Sequence, residues 1–379
     1  PLMAIPAPFK ERLARIYSLL DDADADLLLI DYSELIAWAS GYITGETLYR
    51  VCMVPREGEP WMVLRRLDAP QAQNRSWMSD ISGFPDSDDP YTWITDSIRD
   101  RGLAGAKIAV DSSSYSHTVH TRQRLQEALP DAVFIDLPGI SSTLRAVKDS
   151  TEIDYLQQAS KVADQSMERL QQMFAPGMSS RDAGAIAAAS YMMFGGDDGQ
   201  VGRICKGSGG FGFLHAELDD IPLQMGDVLH AELVPRVNHY SARLMRPISL
   251  GPPDGDLKKI ATSLIHNQDL QIEAMSDGAV AADVDAILRE GIVNDGIRDT
   301  YENVTGYNLG IYGRTPRPSD FSYIFLPNSD WKLQAGMVFH MYASAGGIAF
   351  SETVLVTENG GQRLTQSKRK ILEVLIAEL

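Results

Sequence analysis

The run Gly336-Met337-Val338-Phe339-His340-Met341-Tyr342, continued by Ser351-Glu352-Thr353-Val354-Leu355-Val356-Thr357-Glu358-Asn359-Gly360, carries the reading of the fold. Its apolar residues form two strand-like segments, near 337–343 and 348–357. Alternate side chains of a strand share a face, which puts His340 beside Tyr342. Upstream, strand-like segments lie near 201–206, 228–237 and 243–250, and helices fit 255–276 and 281–293. Residues 151–174 read as a long helix, and Ser179-Ser180-Arg181-Asp182 offers capping residues for a second, alanine-rich helix. A last helix is expected over about 366–378. Helices in pairs, interleaved with antiparallel strands, indicate an α+β domain.

Residues 1–140 follow another pattern. Apolar residues at helical spacing over 9–20 precede a short buried strand at 27–30. The runs 50–54 and 61–64 flank a polar turn and read as a hairpin. Two more apolar runs, 108–110 and 133–137, enclose a polar, helix-like stretch. The expectation is an α/β domain with a mixed sheet. The pattern changes around Leu137-Pro138-Gly139, which divides the chain into 1–140 and 141–379.

Composition agrees with two domains. The chain has 379 residues, 44% hydrophobic and 22% charged, enough apolar side chains for a sizeable core. Acidic residues outnumber basic ones 51 to 34, a formal charge of -17, which argues against nucleic acid or an anionic membrane as partner. Two cysteines, Cys52 and Cys205, make no disulfide framework and fit a reducing cytoplasm. The densest apolar run, 27–30, falls far short of the ~20 residues that span a bilayer. The N-terminus lacks a basic region followed by an apolar stretch, so no signal peptide is expected. A soluble, cytoplasmic chain is expected.

Four segments add a resemblance. They are Leu144-Arg145-Ala146-Val147-Lys148-Asp149-Ser150-Thr151-Glu152-Ile153; Gly226-Asp227-Val228-Leu229, with Arg246 19 residues after Asp227; Gly336-Met337-Val338-Phe339; and Thr353 through Gly360. In this order and spacing they resemble the creatinase, prolidase and aminopeptidase P family, across nearly the whole chain. The resemblance implies an α/β creatinase/prolidase-like N-terminal domain plus an α+β pita-bread C-terminal catalytic domain. Family members of this kind have two pseudo-symmetric halves around a pocket and are usually homodimers.

Metal-dependent members of the family hold two divalent ions with two Asp, one His and two Glu. The resemblance sets Glu232, Arg243, Tyr307, Tyr342 and Ser351 at those positions. One carboxylate remains. Arginine has no lone pair to give and keeps its proton, and the set could not hold two hard cations at ~2.0–2.6 Å. The dinuclear centre is therefore expected to be absent, and no cofactor is expected. Glu232 and Arg243 are expected on neighbouring strands as a bidentate pair, with positive charge fixed where a metal would sit. Tyr307, Tyr342 and Ser351 add hydroxyl donors. Such a pocket could bind a carboxylate or stabilise an oxyanion without any ion. The competing reading is a set of relics filling a dead site.

His215 lies 12 residues before Asp227, where the family places a pocket histidine. In the metal-free creatinase the matching histidine is the catalytic acid/base, a role that suits a group titrating near neutrality. The alternative is a histidine satisfied by a backbone carbonyl. The glycine-rich loop 207–212 before it reads as a pocket edge. His230 shares a face with Glu232. His230 and His340 could line the pocket, form a mononuclear metal site with His215 and Glu232, or be ordinary hydrogen-bonded strand histidines. The two glutamates with which creatinase grips its guanidinium correspond to Met245 and Ser351, so creatine is a poor guess. Arg203 and Arg314 could supply further positive charge or lie on the surface. The segment 41–50 resembles the stretch that reaches the partner's pocket in family dimers. Tyr49 and Arg50 are thus substrate contacts across an interface, or belong to an ordinary loop entering a strand.

The resulting expectation is a metal-independent hydrolase of a C–N bond, amide or amidine, in a small carboxylate-bearing compound, resembling creatinase or ectoine hydrolase. His215 and Glu232 would do the chemistry; Arg243, Tyr307, Tyr342, Ser351, His230, His340, Tyr49 and Arg50 would bind substrate. The alternatives are an Xaa-Pro dipeptidase or aminopeptidase of the same family, and a non-catalytic pita-bread binding protein.

Overall fold

The computed structural model describes residues 5–313 and 319–374. The chain folds as two compact units: the residues up to Ala146 with the segment from Ile311, and Val147–Gly310 with the residues from Ser319 on. No helix among the described residues is long and apolar enough to cross a membrane.

The first unit runs α1 (Ala7–Asp22), β1 (Leu27–Ile30), α2 (Ser33–Ser40), β2 (Val51–Pro55), β3 (Trp61–Arg65), α3 (Ala69–Arg75), β4 (Asp80–Phe84), α4 (Pro90–Arg99), β5 (Lys107–Val110), α5 (Val119–Ala128), β6 (Val133–Asp136) and α6 (Ile140–Leu144). Its six strands form one mixed sheet in the order β4-β3-β2-β1-β5-β6. The hairpin of β2 and β3 is antiparallel, while β5 and β6 run parallel to β1. Alternate residues Leu27, Leu29, Val51, Met53, Trp61 and Val63 pack against Ile94 and Ile98 of α4 and Leu125 of α5.

The second unit opens with α7 (Ser150–Met173) and α8 (Ser180–Met193). Both helices begin in capping boxes, Asp149 with Glu152 and Ser179 with Asp182, in which each side chain accepts the other residue's backbone N–H. This is the physical content of the Lys148-Asp149-Ser150-Thr151-Glu152 segment. There follow β7 (Ile204–Lys206), a 3₁₀ turn (Gly212–His215), β8 (Val228–Leu233), β9 (Arg236–Val237), β10 (Tyr240–Ser241), β11 (Leu244–Ser249), α9 (Gly255–Glu273), α10 (Ala281–Asn294), β12 (Gly306–Asn308), β13 (Asp320–Phe325), β14 (Val338–Ala345), β15 (Ile348–Thr357), β16 (Gly360–Arg363) and β17 (Leu372–Glu373). Seven strands lie in the order β13-β12-β14-β15-β11-β8-β7, with β16 added to β15 and β17 to β11. One face of this sheet is apolar. Leu229, Leu233, Leu244 and Ile248 meet Val162, Met167 and Ala187 of α7 and α8. Ala343, Ile348 and Phe350 meet Leu264, Leu288 and Ile292 of α9 and α10. The strand alternation that turns these residues toward the helices turns their neighbours to the opposite face.

Two expectations fail here. The strand expected over 228–237 breaks after Leu233, because Val234 donates its N–H to the Tyr191 hydroxyl and Pro235 has none to give. The helix expected over about 366–378 does not form in the described part of that range. Asp164 takes the backbone N–H groups of Gln366 and Ser367. Arg246 takes the carbonyls of Ser367 and Lys368, and Leu372–Glu373 pairs in parallel with β11. A backbone whose donors and acceptors are already engaged elsewhere has none left for a helix. The rest of that range lies outside the described residues, as does Arg314.

Arg246 itself is fully buried on the apolar face. Its five N–H donors are all used: on the carbonyls of Lys368, Met245, Ser351 and Ser367, and on Glu352 Oε1 at 2.6 Å. Glu352, equally buried, also accepts from Arg369 and Thr365.

Candidate active site

Strand register builds the site. Opposite the helices, Glu232 of β8 pairs with Met245 of β11, Met245 with Ser351 of β15, and Ser351 with Tyr342 of β14. A second row joins Thr353 of β15 to His340 of β14 and His340 to Tyr307 of β12. Arg243, just before β11, enters this row through Thr353, whose hydroxyl accepts from the Arg243 N–H at 2.8 Å and donates to its carbonyl at 2.9 Å. Glu232, Arg243, Tyr307, Tyr342 and Ser351 thus lie on one face of one sheet.

Glu232 and Arg243 do meet, but not as expected. One guanidinium nitrogen, Nη1, donates to Glu232 Oε1 at 3.4 Å and to the Tyr307 hydroxyl at 2.9 Å. In place of a two-point fork to the carboxylate, one guanidinium nitrogen serves both acceptors. The register explains this: the residue directly across from Glu232 is Met245, two positions along from Arg243. The second Glu232 oxygen accepts from the backbone N–H of Arg203 at 3.3 Å. The Arg203 side chain is exposed. Glu232 and Arg243 are both buried, at 6% and 7% exposure.

Tyr307, His340 and Tyr342 pack as one aromatic group. The His340 ring stacks on Tyr342 at 5.2 Å and meets the edge of Tyr307 at 5.0 Å. Phe321, half exposed on β13, leans on Tyr307 at 5.1 Å. Burial raises the hydroxyl pKa of both tyrosines, so both remain protonated donors. Asn303 donates to the Tyr342 hydroxyl at 3.3 Å. Ser351 Oγ is buried with no protein partner. Thr353 and Asn303 were not singled out as site residues from sequence. Thr353 belongs to the segment 353–360, while Asn303 carries no local signal, because its partner is 39 residues away.

His230 lies deeper than expected. It has no exposed surface, sits across from Cys205, and is covered by the edge of Phe213 at 4.9 Å. Cys205, Phe213, Met245 and Ala349 form a small apolar cluster there. His215, two residues beyond Phe213, is exposed at the end of the 3₁₀ turn and is outside the hydrogen-bonded set of Glu232, Arg243 and Tyr307. The mononuclear site is overturned. Among the described residues no three His, Cys, Asp or Glu side chains gather around one point. His230 and His340 stand three strands apart in the sheet, about 14 Å, and are also displaced along it.

In the first unit, Tyr49 donates to Asp31 Oδ2 at 2.9 Å and stacks on Tyr91. Arg50 is buried, and its five N–H donors go to Thr44, the Asp31 carbonyl, Ser116, Ser33 and Glu46. A guanidinium has five donors. None is left for a substrate, so Arg50 is a strut of its own unit rather than a binding residue.

Burial alone pushes the His230 imidazole down to about 3, and burial with the Arg243 charge holds His340 well below its usual range. All four ring nitrogens lack a protein partner. Unfolded imidazole titrates near 6.5. Between that value and about 3 the unfolded chain binds a proton at His230 that the folded chain does not, so stability falls as pH falls, by about 1.4 kcal/mol per pH unit for the group. Asp164, raised to about 6 by burial, works in the opposite direction over the upper part of this window. A difference between parent and variant removes its contribution. His230→Phe is expected to flatten the dependence of urea-unfolding free energy on pH between 6.5 and 4; an identical slope in parent and variant would refute the assignment.

The fold and the motifs define the class: the chain belongs to metallopeptidase family M24, matched over residues 154–358, and residues 12–147 match the creatinase/prolidase N-terminal domain. It is a member of a family of hydrolases with the pita-bread fold. It is similar to the ectoine hydrolase of Halomonas elongata, 24% identical over 95% of this chain and 96% of that protein. It is also similar to the Xaa-Pro dipeptidase of Pyrococcus furiosus, 26% identical over 63% of this chain and 68% of that protein. Among solved structures, an Xaa-Pro dipeptidase from Bacillus anthracis superposes with a TM-score of 0.81 at 20% identity, covering 96% of this chain and 99% of that one. The dipeptidase PepE from Mycobacterium ulcerans gives 0.80 at 24% identity, covering 97% and 98%.

The family's name implies a metal, and the residues present do not fit one. The five positions supply one carboxylate, two protonated phenols, one aliphatic hydroxyl and a guanidinium. The guanidinium contacts the single carboxylate, so a dication would meet a fixed positive charge and lack the oxygen ligands it needs.

Proposed function

We propose that the chain hydrolyses a C–N bond, amide or amidine, in a small carboxylate-bearing compound, and does so without a dinuclear metal centre. The observation that carries this reading is Arg243, buried among Glu232, Tyr307 and Thr353 on the sheet face that also carries Tyr342 and Ser351. It supplies fixed positive charge and an N–H array for a carboxylate or a developing oxyanion. Tyr307 and Tyr342 add phenolic donors. Buried Ser351 Oγ, without a protein partner, is a group that a ligand or water satisfies. In this reading His215 takes the proton of the attacking water and returns it to the leaving nitrogen, and Glu232 fixes Arg243. Exposure of His215 leaves it free to reach substrate. The similarity to an ectoine hydrolase along nearly the whole chain makes ectoine the first compound to test.

The test pairs metal content with turnover. Protein purified without chelator is expected to hold less than one divalent ion per chain and to keep ectoine hydrolysis after EDTA. It is expected not to cleave Xaa-Pro dipeptides. Two tightly held ions per chain, with dipeptide cleavage abolished by EDTA, would overturn the proposal in favour of a peptidase.

A further inference from the structure

Arg298 takes no part in the site described so far, yet it contacts the glycine loop at Phe211, the end of β14 at Ser344, and Asn303. It is buried, and its guanidinium carbon lies 3.8 Å from the ring centre of Tyr301 and 4.1 Å from that of Phe211. Phe211 is the tip of the glycine loop 207–212 and is 47% exposed, so contact with Arg298 rather than burial is what holds it. The same guanidinium donates to the carbonyls of Thr300 at 3.0 Å and Ser344 at 3.1 Å, the latter near the end of β14. It also donates to Asn303 Oδ1 at 3.3 Å, and the Asn303 amide in turn donates to the Tyr342 hydroxyl.

The rest of the loop is fixed by other means. Its base begins with the Gly207 N–H on the Val228 carbonyl. It is pressed against the Gly346–Gly347 turn, where a Cβ on Gly347 would stand 2.8 Å from the Ser208 carbonyl oxygen. Its far end enters the 3₁₀ turn whose Phe213 covers His230 and whose last residue is His215. Between these anchors lie Gly209, Gly210 at φ +81°, Phe211 and Gly212, a stretch with high intrinsic backbone freedom.

We propose that Arg298 is a positioning residue: through the Phe211 ring it holds the glycine loop that presents His215, and through Asn303 it orients the Tyr342 hydroxyl. Its relevance to catalysis rests on the proposed function, since that reading gives His215 and Tyr342 their roles. The planar guanidinium suits both tasks, offering a face to the rings and edge donors to three oxygens.

Hydrogen exchange followed by mass spectrometry on the ligand-free full chain tests this. In Phe211→Leu the amides of residues 208–215 are expected to exchange about two- to tenfold faster, with the remaining peptides unchanged. Phe211→Trp, which restores an aromatic face, is expected to return the loop to the parent rate. Arg298→Lys, which keeps the charge but loses the plane, is expected to speed the loop as Phe211→Leu does. The double variant is then no faster there than Arg298→Lys alone. An unchanged loop rate in Phe211→Leu overturns the proposal, as does a Trp variant as fast as the Leu variant. So does additive acceleration in the double variant. No substrate enters the measurement, so failure of the parent to hydrolyse ectoine counts against the proposed function and leaves this readout unaffected.

Discussion

Arg246→Met is expected to lower the free energy of unfolding by about 3–5 kcal/mol, the cost of breaking a buried ion pair by removing one partner. Arg246 and Glu352 have no exposed side-chain surface, and their contact is 2.6 Å. Methionine fills much of the volume but none of the five donor roles. The carbonyls of Met245, Ser351, Ser367 and Lys368 each lose a charge-assisted bond, and the last two belong to the segment that leads into β17. Arg369 and Arg363 remain near Glu352, at 2.9 and 3.6 Å, and keep the loss from growing larger. Urea unfolding of parent and variant gives the number. A loss below about 1 kcal/mol, the value of an exposed pair, would show that water enters this part of the core. Arg363→Met is the control: that side chain is 31% exposed and its contact longer, so a loss well under that of Arg246→Met is expected.

Arg243→Lys is expected to lower kcat for the hydrolysed substrate by on the order of 10² to 10³, the usual consequence of losing one preorganised donor to a developing oxyanion. Lysine keeps the charge. It cannot keep the geometry, because an ammonium is a point donor at the end of a flexible stem, while the planar guanidinium reaches Glu232 and Tyr307 together from one nitrogen. Since the charge opposite buried Glu232 survives, the melting temperature should move by only a few degrees. Steady-state kinetics with a melting curve separates the two. An unaltered kcat removes Arg243 from the chemistry; a collapsed melting curve makes it a structural residue.

Much of this protein can be read without coordinates because the relevant properties are local. The periodicity of 9–20 and 151–174 is enough for α1 and α7, and the capping residues at 179–182 mark the start of α8 through bonds that span three residues. The chemical identity of Glu232, Arg243, Tyr307, Tyr342 and Ser351 is likewise independent of packing. Those side chains argue against a dinuclear centre before any distance is known.

Tertiary structure decided what depends on register and on distant partners. An offset of two residues separates the expected two-point pair from the observed arrangement, with Met245 across from Glu232 and Arg243 shared with Tyr307. Arg50 reads as a binding residue until its five donors are traced to residues from 31 to 116. His230 and His340 read as partners in one site until the sheet order places two strands, β15 and β11, between them. Residues 366–374 read as the start of a helix, yet Asp164 and Arg246, more than 100 residues upstream, engage the backbone of 366–368 first. The sequence by itself determined which groups the site contains and what they can donate. Only the folded sheet decided which of them meet, because hydrogen bonds between distant segments override local propensity wherever the backbone is buried.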